Sequence, residues 1–89
     1  MRTVRRTSAF KRDYKRESKS SADLEEVLKP VLKALVAGQA LPARMMDHAL
    51  GGKLKGSRDC HVKPDLVLIY SVAEDELVLV RLGSHSELF

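Results

Sequence analysis

The apolar runs Leu66-Val67-Leu68-Ile69-Tyr70 and Leu77-Val78-Leu79-Val80-Arg81-Leu82 decide the fold of this 89-residue chain. Their length and composition predict strands at about 66–72 and 77–83, with Glu74-Asp75 at the tip of a hairpin. Pro64-Asp65 predicts a tight corner after a further strand at about 58–63. Because both runs are apolar on both faces, we expect each face of the sheet to be covered by a helix, the C-terminal tail or a partner protein.

A clean helical stripe of apolar residues lies upstream of these strands. It consists of Leu24, Val27, Leu28, Val31, Leu32, Leu35 and Val36. This spacing predicts an amphipathic helix packed on the sheet and ended by Gly38. Asp23 and Glu26 predict a capping box at its start, and Pro30 predicts a kink or a split.

The first twenty residues predict a short strand and a basic helix. Thr3–Thr7 has the composition of an edge strand, and Ser8 predicts the N-cap of a helix that reaches about Lys19. Phe10 and Tyr14, four residues apart, are expected to supply most of the packing of this helix. The segment 38–57 predicts a long functional loop that holds a brief strand at 44–48.

The order of elements, β-α-α-β-β-β-β, predicts an α+β fold with two helices packed on a small antiparallel sheet. Residues 1–89 are expected to form one domain. The lone Cys60 is expected in the core of a protein kept in a reducing cytoplasm. The sequence has no apolar run long enough to span a bilayer and no signal-peptide pattern, so we expect no membrane partner.

Positive charge is concentrated at the N-terminus. Residues 1–20 carry a net charge of +6, whereas the whole chain carries +4. Such a patch predicts a polyanionic partner, although a solvated helix face would have the same composition.

The three histidines are expected to converge at one end of the sheet. His61 lies in the third predicted strand, His85 follows the last strand, and His48 lies in the long loop. If Cys60 faces the core, alternation places His61 outward together with Asp59 and Lys63. Imidazoles titrate near neutral pH, so such a cluster suits general acid–base catalysis. Each also has an ordinary interpretation: a loop histidine for His48, a solvent-facing strand histidine for His61 and a tail histidine for His85.

Three motifs resemble the YafQ branch of the RelE-type toxins. They are Asp47-His48-x-Leu50-x-Gly52, Arg58-Asp59-x-His61-x-x-Pro64-Asp65, and Gly83-x-His85-x-x-Leu88-Phe89. The resemblance implies a RelE-like microbial RNase fold and a type II toxin that cleaves mRNA in the ribosomal A site, docked on rRNA and neutralised by an acidic antitoxin. It implies no cofactor and no small-molecule ligand.

The resemblance also implies roles for individual residues. His48 is implied as general base and His85 as general acid, with His61 and Asp65 orienting groups or stabilising charge. The residues themselves do not fix which histidine is which. Asp47 could orient His48, although adjacent side chains seldom face each other. Asp65 is equally typical of a turn aspartate that caps its own backbone.

RNA contacts are expected from several further residues. The candidates for contacts to the substrate are Lys53, Lys55, Arg58, Arg81 and Phe89, and those for ribosome binding are Arg12, Lys15 and Arg16. Arg81 lies within an apolar strand, so its guanidinium needs either a carboxylate or a substrate phosphate. Phe89 could stack on a base or latch the terminus.

Two other function classes compete with a nuclease. A non-catalytic basic RNA- or DNA-binding module would explain the N-terminal charge but not the histidines. A metal protein using the histidines and Asp65 is disfavoured, because no two of these ligands have the close spacing of ordinary zinc motifs.

Overall fold

The two apolar runs form adjacent strands of a five-stranded sheet in the computed structural model, which describes residues 1–89. β4 (Leu66–Ala73) and β5 (Glu76–Gly83) pair as an antiparallel hairpin. β3 (Arg58–Lys63) lies antiparallel to β4 on its other side, after the corner at Pro64-Asp65. These strands and both turns confirm the prediction, with ends shifted by at most one residue.

Two short strands complete the sheet at its edges. β1 (Thr3–Arg6) pairs with β5, and β2 (His48–Ala49) pairs with β3, giving the order β1-β5-β4-β3-β2. β1 is the predicted edge strand, but it runs parallel to β5, so the sheet is mixed rather than wholly antiparallel. Most of the chain separates these two strands, so no tight turn dictates their direction. A 3₁₀ turn at Ala43–Met45 replaces the start of the brief strand expected at 44–48.

The two predicted helices are present as α1 (Ser8–Ser20) and α2 (Leu24–Val36). The N-cap of α1 is Thr7 rather than Ser8, because the Thr7 hydroxyl accepts the Phe10 N–H at 2.9 Å. α2 continues through Pro30 without being divided, so the predicted split does not occur. Gly38 follows its end with a φ of +72°, as expected for a glycine after a helix.

The predicted capping box of α2 is absent. The Asp23 carboxylate makes no cap hydrogen bond and instead accepts from Ser21 Oγ at 2.8 Å and from Lys63 Nζ at 2.6 Å. The hydrogen bond from Lys63 and the one from Ser21 lower the pKa of Asp23. A residue distant in sequence therefore replaces the local cap. No helix of the structure is both long enough and apolar enough to cross a membrane.

The core lies between the sheet and the face of α1 and α2 that packs against it. Phe10 and Tyr14 make the predicted pair, with ring centroids 6.1 Å apart and edge to face. Cys60 is fully buried, and burial raises its pKa to about 12, as suits a core thiol. The buried members are Phe10, Leu24, Leu28, Val31, Leu35, Cys60, Leu66, Leu68, Tyr70, Leu77, Leu79 and Leu82.

Two register shifts change which side chains reach each face of the sheet. Ile69 of β4 pairs with Arg81 of β5, and the next residue of β4, Tyr70, pairs with Leu79 of β5. Val80 is therefore an extra residue in β5. In β3, Val62 is the extra residue between His61 and Lys63. A bulge of this kind re-aims the side chains beside it. Lys63 consequently reaches Asp23 on the helix side, so the expectation that it shares a face with His61 is wrong.

Candidate active site

On the face of the sheet opposite the helix-side core, two rows of residues run across β3, β4 and β5. In the first row, Asp59 of β3 and Arg81 of β5 flank the buried Ile69 of β4. In the second row, His61 and Gly83 flank the buried Val67. Two strand spacings separate His61 from Gly83, which is roughly 10 Å. The central residues of this face, Val67 and Ile69, are buried, and its coverage by a helix, the C-terminal tail or a partner protein stays a prediction.

His48 joins the first row from the edge strand β2, directly opposite Asp59. Its Nδ1 lies 2.7 Å from the Met46 carbonyl oxygen and 3.0 Å from Asp59 Oδ1. Both neighbours are acceptors, so Nδ1 carries the proton, which it donates to Met46. In the neutral ring the lone pair is then on Nε2.

Asp59 is a buried carboxylate beneath an exposed imidazole. Its side chain is only 4% exposed, whereas that of His48 is 55% exposed. Asp59 Oδ1 has no hydrogen-bond donor of its own within the chain. The buried Asp59 Oδ1 therefore lies 3.0 Å from the Nδ1 of His48.

His61 lies beside an open groove at the β3 edge. The groove has a volume of about 490 Å³ and extends from the 3₁₀ turn to the Pro64 corner. His61 is half-buried, and its side chain makes no hydrogen bond within the chain. Its ring is therefore available to a ligand in this groove, whose lining residues are Arg44, Met45, Met46, His61, Val62, Lys63 and Pro64.

The last histidine begins a short helix, α3 (His85–Leu88), after the end of β5. Ser84 caps it with a capping box, in which the Ser84 hydroxyl accepts the Glu87 N–H and the Glu87 carboxylate accepts the Ser84 N–H. The Phe89 ring packs against His85 with centroids 4.8 Å apart, and Phe89 remains 50% exposed. Phe89 thus supports the His85 ring and leaves part of its own surface free.

Arg16 of α1 holds this C-terminal turn against the sheet. Its guanidinium donates to the Leu82 carbonyl at 3.1 Å and pairs with Glu87 at 3.4 Å. Gly83 allows this close approach, since a Cβ there would lie 3.0 Å from Arg16 Nη2 and 3.2 Å from Glu87 Oε1. His85 is therefore placed by contacts from the helix layer as well as by its own helix cap.

Arg81 has the carboxylate partner that its position requires. Its Nε donates to Asp13 Oδ2 at 2.6 Å and its Nη2 to Asp13 Oδ1 at 3.2 Å. Asp13 also accepts the Leu82 N–H at 3.0 Å and Arg16 Nη1 at 3.1 Å. Burial acts to raise the pKa of Asp13, but the hydrogen bonds from Arg81 and Leu82 outweigh it and lower the pKa. Arg81 Nη1 makes no hydrogen bond within the chain and can face a ligand.

The remaining substrate candidates lie at three separate places. Asp65 is exposed at the Pro64-Asp65 corner, the end of the sheet to which Gly83 also belongs. Lys53 and Lys55 are exposed near the 3₁₀ turn Gly52–Leu54 and have no partner in the chain. Arg58 instead donates to Asp47 at 3.0 Å, which ties up one edge of its guanidinium.

The ribosome-binding candidates also include residues with and without an ion-pair partner. Arg12 and Lys15 are exposed on α1 and have no ion-pair partner. Arg16 is also exposed, but it pairs with Asp13, Glu17 and Glu87. Hydrogen bonding to Glu17 and the nearby carboxylates raise the pKa of Arg16.

Sequence reasoning missed two carboxylates that organise the site, Asp13 and Asp59. The sequence did contain a signal for Asp59. Strand alternation placed it on the same face as His61, next to the strand predicted at 66–72, which is apolar on both faces, so a buried carboxylate could have been expected there. Asp13 gave no local signal, since it lies among basic residues on a helix that was expected to pack mainly through Phe10 and Tyr14. Only the requirement that Arg81 have a carboxylate pointed to such a residue.

The whole chain matches one family model. The description of that model is "Bacterial toxin of type II toxin-antitoxin system, YafQ", and the match covers residues 2–89. The chain belongs to the YafQ toxin family. The toxin class and the RelE-type α+β fold implied by the three motifs are thereby confirmed.

Relatives of known name and structure agree with this assignment. The mRNA interferase toxin YafQ of Escherichia coli is 36% identical over 89 residues, which cover 99% of this chain and 96% of that relative. A copper-bound mutant toxin from Helicobacter pylori superposes with a TM-score of 0.94 at 43% identity, with both chains covered in full. An E. coli DinJ–YafQ complex gives 0.90 at 36% identity, covering 100% of this chain and 99% of the other. An mRNA interferase is an endoribonuclease, so the expected enzyme class is confirmed at the level of the family.

Copper binding is a property of that Helicobacter relative. In this chain no group of three or more His, Cys, Asp and Glu side chains is placed to hold a metal ion. The residues present therefore do not fit such a centre, and we assign no chemical step to a metal.

Proposed function

We propose that this protein is a ribosome-dependent mRNA interferase that cleaves RNA by histidine acid–base catalysis. The observation that carries the proposal is the environment of His48, whose Nδ1 is bracketed by Met46 O and Asp59 Oδ1 at 2.7 and 3.0 Å. This environment leaves Nε2 as the basic nitrogen and places a buried carboxylate where the ring becomes cationic.

The reaction begins with proton transfer to His48. Nε2 accepts the proton of a ribose 2′-hydroxyl, and the oxygen attacks the adjacent phosphorus. The resulting imidazolium is stabilised by Asp59, in the manner of an acid–base histidine oriented by a carboxylate. General base catalysis of this kind contributes about 10²–10⁴-fold.

His85 then completes the transfer as general acid. It protonates the 5′-oxygen of the leaving nucleotide as the phosphorus–oxygen bond breaks, which leaves a 2′,3′-cyclic phosphate. His48 on β2 and His85 after β5 flank this face from opposite sides, with three strand spacings, or roughly 14 Å, between their strands, so a phosphodiester bound over β3 and β4 lies between the two imidazoles. Arg81, through its free Nη1, stabilises charge on the phosphorane, and His61 and Asp65 line the same end of the sheet.

The ribosome is proposed to supply the substrate geometry. The site is an open face of a small sheet, so the protein alone has little surface with which to hold a codon. Arg12 and Lys15 on α1 and Lys53 and Lys55 near the 3₁₀ turn are exposed and unpaired, as contacts to rRNA and mRNA phosphates require. Phe89, half exposed beside His85, is placed to stack on a base.

A small acidic antitoxin is the proposed protein partner. An apolar groove of about 560 Å³ lies between α1 and α2, lined in part by Tyr14, Leu28 and Leu32. Its charged lining residues are Lys29, Lys33 and Glu25, so the rim has a net positive charge. An acidic amphipathic segment matches both the apolar floor and the basic rim.

The decisive experiment compares cleavage of one mRNA alone and on programmed ribosomes, with the parent protein and with His48→Gln and His85→Ala. We expect cleavage only on ribosomes, within the A-site codon, and loss of at least about 100-fold in either variant. Equal cleavage of naked RNA would overturn ribosome dependence. Binding without any cleavage would favour the non-catalytic nucleic-acid module.

A further inference from the structure

Asp47, the residue before His48, is anchored from the helix side of the sheet. Asp47 Oδ1 accepts the Tyr70 hydroxyl at 2.7 Å and Arg58 Nε at 3.0 Å. Tyr70 is 2% exposed and belongs to the core cluster. One carboxylate oxygen thus connects the loop that carries His48 to the most rigid part of the molecule.

We infer that Asp47, Arg58 and Tyr70 form a positioning cluster that fixes the orientation of His48 in the active site. This inference rests on the proposed function, because it assumes that His48 is the general base. The cluster does not touch the reacting atoms; it acts through the backbone of the loop.

The cluster determines which face of the sheet His48 occupies. Successive side chains of an extended segment point to opposite faces. With Asp47 held on the core side by Tyr70, His48 must face Asp59 on the other side. A slip of one residue in β2 would reverse both orientations.

β2 could not maintain this register by itself. It has only two residues, both of them exposed, and it follows Met46, whose φ is +52°. A two-residue strand at a sheet edge has few ladder hydrogen bonds and little buried apolar surface, which are the marks of a segment that opens easily. The two bonds to Asp47 supply the missing constraint.

The charges in the cluster favour a permanent structural contact. Burial and the hydrogen bond to Asp47 raise the pKa of Tyr70, so the phenol remains a donor at working pH. The hydrogen bond that Arg58 donates to Asp47 raises the pKa of Arg58. Because its guanidinium is bound to Asp47, we assign Arg58 to positioning His48 and not to binding a substrate phosphate. The two roles differ in kinetics: loss of a positioning residue lowers the saturated rate, whereas loss of a phosphate contact raises the ribosome concentration at half-maximal rate.

The test combines kinetics with a spectroscopic reading of His48. Asp47→Ala should lower the rate of cleavage at saturating ribosomes by about 100-fold, the cost of misplacing a catalytic group by about 1 Å. The ribosome concentration at half-maximal rate should stay within about threefold of the parent value. The ¹⁵N shifts of the His48 ring should change from a single Nδ1–H tautomer to a mixture.

Conservative variants separate positioning from a general loss of stability. Asp47→Asn retains an acceptor oxygen for both donors, so it should restore the parental tautomer and most of the rate. Tyr70→Phe loses one hydrogen bond and should slow cleavage by about 2–13-fold. Asp75→Ala, which removes an exposed turn carboxylate without a side-chain partner, is the matched control and should change neither reading.

The outcomes distinguish this inference from the proposed function. If His48→Gln cleaves at the parental rate, the proposed base is wrong. If His48→Gln is inactive while folded Asp47→Ala and Tyr70→Phe keep the parental rate and tautomer, the positioning role is overturned. If Arg58→Met raises the half-saturating ribosome concentration, more so at high salt, and leaves the saturated rate unchanged, Arg58 belongs to the RNA contact instead.

Discussion

The substitution Asp13→Asn tests the most connected polar group of the molecule. Asp13 is 4% exposed at its side chain and receives hydrogen bonds from Arg81, from the Leu82 N–H and from Arg16. Removing one partner of a buried ion pair costs about 3–5 kcal/mol. Arg81 is 36% exposed and the asparagine keeps one acceptor oxygen, so we expect the lower end, about 3 kcal/mol.

That loss should be large relative to the stability of the chain. A small domain unfolds with about 5–15 kcal/mol, and 1 kcal/mol shifts the Tm by about 4–8 °C at this size. Asp13→Asn should therefore lower the Tm by roughly 12–24 °C, measured by circular dichroism, with urea titration at 25 °C giving the free energy of unfolding. Asp75→Asn, an exposed control, should stay within about 0.5 kcal/mol of the parent.

The pH dependence of the effect has a definite sign. The pKa of Asp13 is lowered from its ordinary value of 3.8, so the carboxylate contributes stability above that pH. The contribution is lost as the pH falls through the folded-state pKa. The difference between parent and Asp13→Asn should thus be constant near neutral pH and shrink below about pH 4.

A double-mutant cycle identifies the partner. Asp13→Asn combined with Arg81→Met should destabilise less than the sum of the two single changes, with a coupling of about 1–3 kcal/mol. A Tm within about 3 °C of the parent for Asp13→Asn, or strictly additive single changes, would refute the reasoning that this network holds α1 to β5.

Three further predictions concern the reaction and its partners. His85→Ala should leave the circular dichroism spectrum unchanged and reduce ribosomal mRNA cleavage by at least about 100-fold; parental cleavage by the folded variant would remove His85 from the mechanism. The cleaved RNA should end in a 2′,3′-cyclic phosphate or a 3′-phosphate, whether or not the protein has been pretreated with EDTA, and end-group mapping measures this. Ends with a 3′-hydroxyl would contradict proton transfer by histidines. Arg12→Glu with Lys15→Glu should weaken ribosome co-sedimentation, and the salt dependence of binding should become shallower without a fall in Tm; unchanged binding would make α1 a solvated surface.

The parts of the fold that depend on local sequence could be predicted. The strand ends at Pro64-Asp65 and Glu74-Asp75, and the end of α2 at Gly38, follow from turn and cap preferences of neighbouring residues. The parallel pairing of β1 could not be predicted, because it joins segments that are distant in sequence. The bulges at Val62 and Val80 also left no local signal, since neither valine stands next to a glycine that would mark a bulge.

Within the candidate site, the sequence pointed to the residues proposed for acid–base chemistry but not to the carboxylates that hold them in place. His48, His61 and His85 were proposed because each lies in one of the three short motifs. Asp59 and Asp13 were missed because their importance comes from burial and from partners on other elements. A carboxylate is ordinary at the surface and costly in the interior, and sequence alone does not say which environment it has.

The pairing of charges also changes where an RNA contact is expected. Arg16 and Arg58 contribute to the basic composition, yet each is held by carboxylates of the same chain. Among the candidates for RNA contacts, the cations without an ion-pair partner are then Arg12 and Lys15 on α1 and Lys53 and Lys55 near the 3₁₀ turn. The cations near the site therefore form two groups. The paired arginines, Arg16 and Arg58, position the proposed acid and the proposed base, whereas the unpaired cations are available to bind RNA phosphates. Charge removal at the first group should lower the rate of cleavage, and charge removal at the second should lower affinity.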